Sequence, residues 1–398
     1  MAIVYLDNNA TTRTAPEVLE EMLPFFSERY GNPSSMHAFG GEVGHELAKA
    51  RERTAAALGA NPDEIVFTAC GTEADNTAIW SAVQASPDKR HVITTRVEHP
   101  AVLNLCKHLE TLGFDVTYLA VDKNGNMDAD CVRQAIRKDT AVVSIMWANN
   151  ETGVLFPIEE IAAVTKEAGV LFHTDAVQAV GKVAIDLKNL PVDMLSLSGH
   201  KIHAPKGIGA LYLRRGTPFR PFMIGGHQER GRRAGTENTA SIIGLGKAME
   251  LAAAGIVDEN TRVAALRDCL ESGLLDSVPD VRINGDPDNR LPNTTSVAFK
   301  YVEGEAILLM MDQYGICASS GSACTSGSLE PSHVLRAMGV PFTFAHGSVR
   351  FSLSRYTTPE DVNTVLDELP PIIKTLRDMS PFSAEHEGVA CAGTWSNE

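Results

Sequence analysis

Short runs of aliphatic and β-branched residues punctuate the chain between Ile65 and Leu213: IVFT, HVITT, AVVSIM, VLFHT, MLSLS and GALYL. Helical stretches separate several of them, and this alternation predicts an α/β domain on a mostly parallel sheet. The last two runs lie too close together for a crossover helix, so an antiparallel strand is expected beside them. From about Gly255 the texture changes to a charged helical stretch and then to alternating strands around residues 296–299 and 349–353, the pattern of a smaller α+β unit. Pro370 and Pro371 interrupt the final helical pattern, and the closing SAEHEGVACAGTWSNE is polar and aperiodic, as in a flexible tail.

Composition fits an ordinary folded protein, because 398 residues with 44% hydrophobic and 21% charged residues can bury a large core in one or two domains. A formal net charge of −15 opposes general affinity for nucleic acid or anionic lipid, whose phosphates it would repel. The N-terminal MAIVYLDNNATT lacks a basic region followed by an apolar run, and no later window holds roughly 18 uninterrupted apolar residues. No membrane partner is expected, and the chain reads as cytoplasmic. The seven cysteines are odd in number, scattered, and without close CxxC pairs, which argues against a zinc site and for mostly reduced thiols.

The polar residues of the larger unit follow the predicted strands, where open α/β sheets bind ligands. After IVFT, Cys70-Gly71-Thr72-Glu73 opens a helix whose glycine, hydroxyl and free N–H groups suit a phosphate, although a simple cap at Thr72 fits equally. After HVITT, His99 stands at a helix entrance, able to stack on a ring, move protons or merely cap. The turn Asn149-Asn150-Glu151-Thr152-Gly153 follows AVVSIM; its amides can reach a ligand, and Asn149 and Glu151 can equally serve the turn alone.

After VLFHT, Asp175 and Gln178 are three residues apart, on one side of a helical turn. A carboxylate there can hold a protonated pyridine nitrogen, or it can be an N-cap. After MLSLS, Ser198-Gly199-His200-Lys201 brings an amine to the mouth of the same site, where a desolvated lysine can form a Schiff base. The glycine-rich stretch from Gly225 to Asn238 gathers Arg230, Arg232 and Arg233, unusual in an acidic chain, and can close over an anion or cross to a neighbouring subunit. Arg350 shares the polar face of its strand with Ser352 and Ser354 and can clamp a carboxylate in two-point geometry, with Arg355 as the competitor. Finally, Cys324 lies in ASSGSACTSGS, a run of small residues that cannot pack a core and should be an accessible loop; a free thiol with a pKa of about 8.5 needs activation to react there.

Together these segments resemble the cysteine desulfurases, especially the nitrogen-fixation type. The resemblance spans nearly the whole chain through YLDNNATT, Tyr30-Gly31-Asn32-Pro33-Ser34-Ser35, VEHPAV, WANNETG, FHTDAVQAVGK, SGHKIHAPKG, GGHQERGRRAGTEN, SSGSACTSGSLEPSHVLRAMG and HGSVRFSLSRYTT, in that order. It implies the fold type I of pyridoxal-phosphate-dependent transferases. A large domain over 15–254 would hold a mostly parallel seven-stranded sheet; a small α+β domain would comprise 1–14 and 255–380, followed by a tail at 381–398. Pyridoxal 5'-phosphate is the implied cofactor, with Lys201 as its Schiff-base lysine, Asp175 on the pyridinium nitrogen, Gln178 on the ring hydroxyl and His99 stacked on the ring. Gly71, Thr72, Ser198 and His200 would hold the phosphate, with Thr236 reaching in from the second subunit of a homodimer. Asn150 and Arg350 would fix the carboxylate of the substrate, L-cysteine. Cys324 would take the sulfur as a persulfide, hold an iron–sulfur cluster in transit, and pass sulfur to an iron–sulfur scaffold protein, in the subtype for nitrogenase maturation. An aminotransferase or selenocysteine lyase is the neighbouring alternative, and transamination needs no cysteine on a small-residue loop.

Overall fold

Alternation inside the strands sends Ile65 and Phe67 to one face of a sheet and Val66 to the other, and both faces are covered by apolar side chains. The computed structural model describes residues 3–320 and 331–380, so Cys324, Cys391 and the segment 381–398 lie outside the described residues. The sheet has seven strands, in the order Ile65–Thr68, Gly209–Leu213, Met194–Ser198, Leu171–Asp175, Thr140–Ser144, His91–Thr95 and Asp115–Leu119. Gly209–Leu213 runs antiparallel to both neighbours and every other pairing is parallel, as the short MLSLS-to-GALYL connection requires. Gly209 is demanded by packing: a Cβ there would come within 2.8 Å of the Cys70 backbone, which crosses above it to open the Gly71–Ala85 helix.

A second, antiparallel sheet has the order Ser319–Ser320, Ser348–Ser352, Thr294–Phe299 and Val281–Asn284. Its core holds Val297, Phe299, Val349 and Phe351 with Leu369, Ile372 and Ile373 of the closing helix Pro359–Met379. That helix runs through Pro370 and Pro371, against the interruption expected from the sequence. Each proline deletes a backbone donor at a cost of about 3 kcal/mol in an isolated helix, and three side chains buried beside them in the small core supply the offset.

The two cores are joined by one continuous helical run, Thr239–Asp258, a π-helical turn Glu259–Val263, and Ala264–Ser277. Its first part gives Ala240, Ile243 and Met249 to the large core and its last part gives Leu270 and Leu274 to the small one, so the boundary drawn at 254 falls inside a helix. By length and mean hydropathy this run is the one helix among the described residues apolar enough to cross a membrane, and half of its apolar window is buried inside the fold. Two further crossings matter for the site. The strand Val4–Tyr5 pairs with Ile316–Cys317 in the small core while Ala15 and Val18 enter the large one, and Val334, Leu335 and Met338 return from the C-terminal half to the large core.

Candidate active site

A cleft of about 420 Å3 opens at the carboxyl ends of the neighbouring strands Met194–Ser198, Leu171–Asp175, Thr140–Ser144 and His91–Thr95 and of Ile65–Thr68 beyond Gly209–Leu213, and Arg350, Pro331, Ser332, His333 and Arg336 also line it. Gly71, Thr72, His99, Asn150, Asp175, Gln178, Ser198, His200 and Lys201 all line it, beside Arg350. Thr236 does not: it is exposed, in the loop before Thr239–Asp258. The competing Arg355 lines a separate small cavity and bonds Tyr356, whereas Arg350 lines the cleft. Arg233 is tied to Glu73 at 2.8 Å and Arg232 to the Asp63 carbonyl, so these arginines fasten their loop to the large unit and do not line the cleft.

The cap of the Gly71–Ala85 helix is Cys70, whose sulfur accepts from the Glu73 N–H, and not Thr72. Thr72 is thereby left beside the free N–H groups of the helix entrance. A Cβ on Gly71 would meet Val177 at 2.8 Å and Ser198 at 3.3 Å, so only glycine lets this backbone face the cleft so closely. His99 caps Pro100–Thr111 through Nδ1, which accepts from the Ala101 N–H at 3.2 Å; capping and facing the cleft are compatible roles. Burial, and then the charge of Lys201, pull its imidazole down to about 4, so the ring is neutral near pH 7. His200 is held down to about 4 by the same two causes and by Lys206.

The Lys201 amine donates to the carbonyls of Asn9 at 2.5 Å and Ala10 at 2.8 Å. Asn9 is a junction: its carbonyl also accepts from Gln178 Nε2, its amide nitrogen from the side chain reaches Thr294 Oγ1 and the Asn150 carbonyl, and its backbone N–H donates to Ser352 Oγ. Arg350 donates to the Asn150 carbonyl at 3.0 Å and to Asp7 at 2.8 Å, while its buried Nε has no partner among the described residues. Asn149 serves its turn, accepting from the N–H groups of Glu151 and Thr152.

Asp175 accepts from the Val177 N–H at 2.9 Å, yet burial pushes its carboxyl up to about 6. Behind it, burial and then the charge of Asp175 hold Asp75 well above the usual carboxylate range. Such a carboxylate gains most from a cationic partner. Gln178 Oε1 and Ser198 Oγ are also buried without a partner among the described residues. The donors at the Gly71–Thr72 entrance, the carboxylate at the other end and these two orphaned atoms fit a flat ring carrying a phosphate and a basic nitrogen. Polar cleft residues that sequence reasoning gave no role are Asn9, Asp75, Ser332, His333 and Arg336, while Glu151 stood equally between a ligand and its turn. Their signals were present in YLDNNATT, in the four-residue spacing from Gly71 to Asp75, and in SLEPSHVLRAMG.

Glu98 supports the cleft from beneath. Its Oε1 accepts from Thr95 Oγ1 and the Met146 N–H, its carbonyl from His333 Nε2, and burial pushes the carboxyl up to about 8. A folded pKa raised above the unfolded value stabilises below about 4.5, and that contribution is lost as pH rises through about 8. Glu98→Gln is therefore expected to melt progressively higher than the parent between about pH 5 and about pH 8, by an amount on the order of a few kcal/mol at the upper end. Melting curves that stay parallel over this range would show that Glu98 ionises freely in the fold.

The aminotransferase class-V family profile matches residues 4–365. The cysteine desulfurase NifS of Azotobacter vinelandii is 63% identical over 383 residues, 96% of this chain and 95% of its own. The cysteine desulfurase of Trichormus azollae is 60% identical over 388 residues, 98% of this chain and 97% of its own. Among solved structures, a NifS-like protein superposes with a TM-score of 0.89 at 41% identity, covering 94% of this chain and 100% of its own. SspA in complex with cysteine superposes with a TM-score of 0.80 at 39% identity, covering 89% and 99%. With a cleft of this composition on this fold, the chain belongs to the cysteine desulfurases of the aminotransferase class-V family.

Proposed function

We propose that the protein removes sulfur from L-cysteine, releasing L-alanine and leaving the sulfur as a persulfide on Cys324. The observation that carries this reading is the meeting of Lys201, Asp175, His99 and the Gly71–Thr72 entrance in one cleft, with Arg350 across from them. Enzymes of this family depend on pyridoxal phosphate. Lys201 would hold it covalently, Gly71, Thr72, Ser198 and His200 its phosphate, Asp175 its ring nitrogen, Gln178 its hydroxyl and His99 its face. When bound it supplies an electron sink for the pair left as the substrate Cα–H bond breaks.

The remaining work falls to the chain's own groups. Arg350 and Asn150 receive the substrate carboxylate; the guanidinium has a buried, unpartnered Nε, and an Arg–carboxylate pair is strong and directional. The Lys201 amine, beside the carbonyls of Asn9 and Ala10, would take the substrate Cα proton as a general base. The neutral His99 imidazole can then accept or return a proton without adding charge to the cleft. The Cys324 thiolate attacks the substrate sulfur, the carbon–sulfur bond breaks, and protonation of the three-carbon product gives alanine. Atoms balance, since one cysteine and one thiol give one alanine and one persulfide. Cys324 lies outside the described residues, but residues on both sides of its segment are at the site: Ser320 pairs with Val349, next to Arg350, and Pro331 lines the cleft.

A homodimer is supported by the exposed apolar side chains of Leu23, Phe26, Tyr30 and Met36, and by the position of Thr236 away from its own cleft, which suits a contribution to the partner's phosphate site. We place the protein in the cytoplasm and the sulfur's destination at an iron–sulfur scaffold protein, with nitrogenase maturation the end use suggested by its likeness to NifS. Mass spectrometry after incubation with L-cysteine is expected to find a one-sulfur adduct on the peptide containing Cys324. An adduct confined to another cysteine would overturn the assignment.

A further inference from the structure

Glu151 is buried, faces the cleft, and has no task in the chemistry above. Its Oε2 accepts a hydrogen bond from the Ser332 hydroxyl. The Ser332 oxygen in turn accepts from the N–H groups of Val334 at 3.0 Å and Leu335 at 3.3 Å, capping the helix His333–Ala337. That helix sinks Val334 and Leu335 into the large core and sets His333 and Arg336 on the cleft wall. On its other side Glu151 belongs to the turn that Asn149 fixes, and the carbonyl of the adjoining Asn150 accepts from Arg350 at 3.0 Å. One carboxyl therefore bridges two walls of the cleft that come from residues 181 positions apart.

We propose that Glu151 is a positioning residue for substrate binding: through Ser332 it pins the helix His333–Ala337 to the Asn149–Gly153 turn, fixing the distance between that wall and Arg350. The inference rests on the reading of Arg350 as the receiver of the substrate carboxylate. A carboxyl removed from water is costly unless its oxygens are satisfied, so this one stays in place only while its donor does. Two-point recognition by a guanidinium is lost with small displacements, which makes binding the property that should register a loosened wall. A role in stability alone would lower the melting temperature and leave the KM of the folded enzyme unchanged.

The test is a double-mutant cycle on the holoenzyme, with Glu151→Ala, Ser332→Ala, the double variant, and Glu151→Gln, reading KM and kcat for L-cysteine and the melting temperature. Each alanine variant is expected to raise KM by about five- to tenfold with kcat within about twofold, and the double variant to be no worse than the worse single one. Glutamine keeps an acceptor for the Ser332 hydroxyl and should stay within about twofold of the parent. KM effects that multiply in the double variant, a glutamine variant as impaired as alanine, or lowered melting with unchanged KM would each overturn the proposal. Should Glu151→Ala not fold, Ser332→Ala and Glu151→Gln still decide it. Arg350→Gln measured in parallel keeps the two readings apart: parental KM there removes the carboxylate assignment, while the cycle alone reports whether Glu151 and Ser332 act as a unit.

Discussion

Lys201→Ala is expected to cut kcat for alanine formation from L-cysteine by at least about 1,000-fold and to remove the near-visible absorbance of the bound cofactor. Two losses combine. A positioned general base alone is worth about 100- to 10,000-fold, and the covalent anchor of the cofactor disappears with the same side chain. Among the described residues no other lysine lines the cleft; His200, just before it in sequence, is bonded to Thr11, and Lys206 donates to the Thr12 carbonyl. Alanine release and the absorbance spectrum of the purified variant check this together. A variant that keeps its absorbance and its turnover would show that another amine carries the cofactor.

Cys324→Ala should divide the reaction differently. Sulfide release in the presence of a thiol reductant is expected to fall by at least about 1,000-fold, as for loss of a nucleophile. The absorbance change on adding L-cysteine should persist, because Lys201, Asp175 and Arg350 are untouched. An unactivated thiol is only a few per cent ionised near pH 7, so the rate of sulfur transfer in the parent should also rise with pH toward the thiol's pKa. Among the described cysteines, Cys70 alone lines the cleft, and its sulfur is engaged with the Glu73 N–H. If Cys324→Ala releases sulfide at the parental rate, Cys70 becomes the thiol to test and the persulfide assignment falls.

What the sequence made legible was chemistry placed directly after strands. The alternation of apolar runs and helices marked six of the seven strands and passed over Asp115–Leu119, and the residues at or just after the ends of the marked strands, Gly71, His99, Asn150, Asp175, Gln178, Ser198 and Lys201, meet in one cleft. They could be read because the rule that ligands sit at carboxyl ends of strands is local to each strand. Asn9, Ser332, His333 and Arg336 were given no role although their motifs stand in the sequence, because they reach the cleft from segments distant in the chain and not from the end of a neighbouring strand. Glu151 stood open between ligand and turn, because the partner that shows the task of its carboxyl, Ser332, is not given by local sequence. The prolines of the last helix misled for a related reason: local cost was visible, and burial of Leu369, Ile372 and Ile373 was not.

The first dozen residues bear on how the enzyme is made. Asp7 meets Arg350 and Asn9 meets Ser352, each across 343 positions, while Asn9 and Ala10 also hold the Lys201 amine. A ribosome must therefore have delivered the chain through residue 352 before the segment beside the lysine has its partners. Contacts so distant in sequence form slowly, after their loop-closure entropy has been met. Nascent chains arrested before residue 350 should accordingly lack a finished pocket even where the seven-stranded sheet has formed, and cofactor capture becomes a late event in biosynthesis, gated by the meeting of residues 7–10 with residues 350–352.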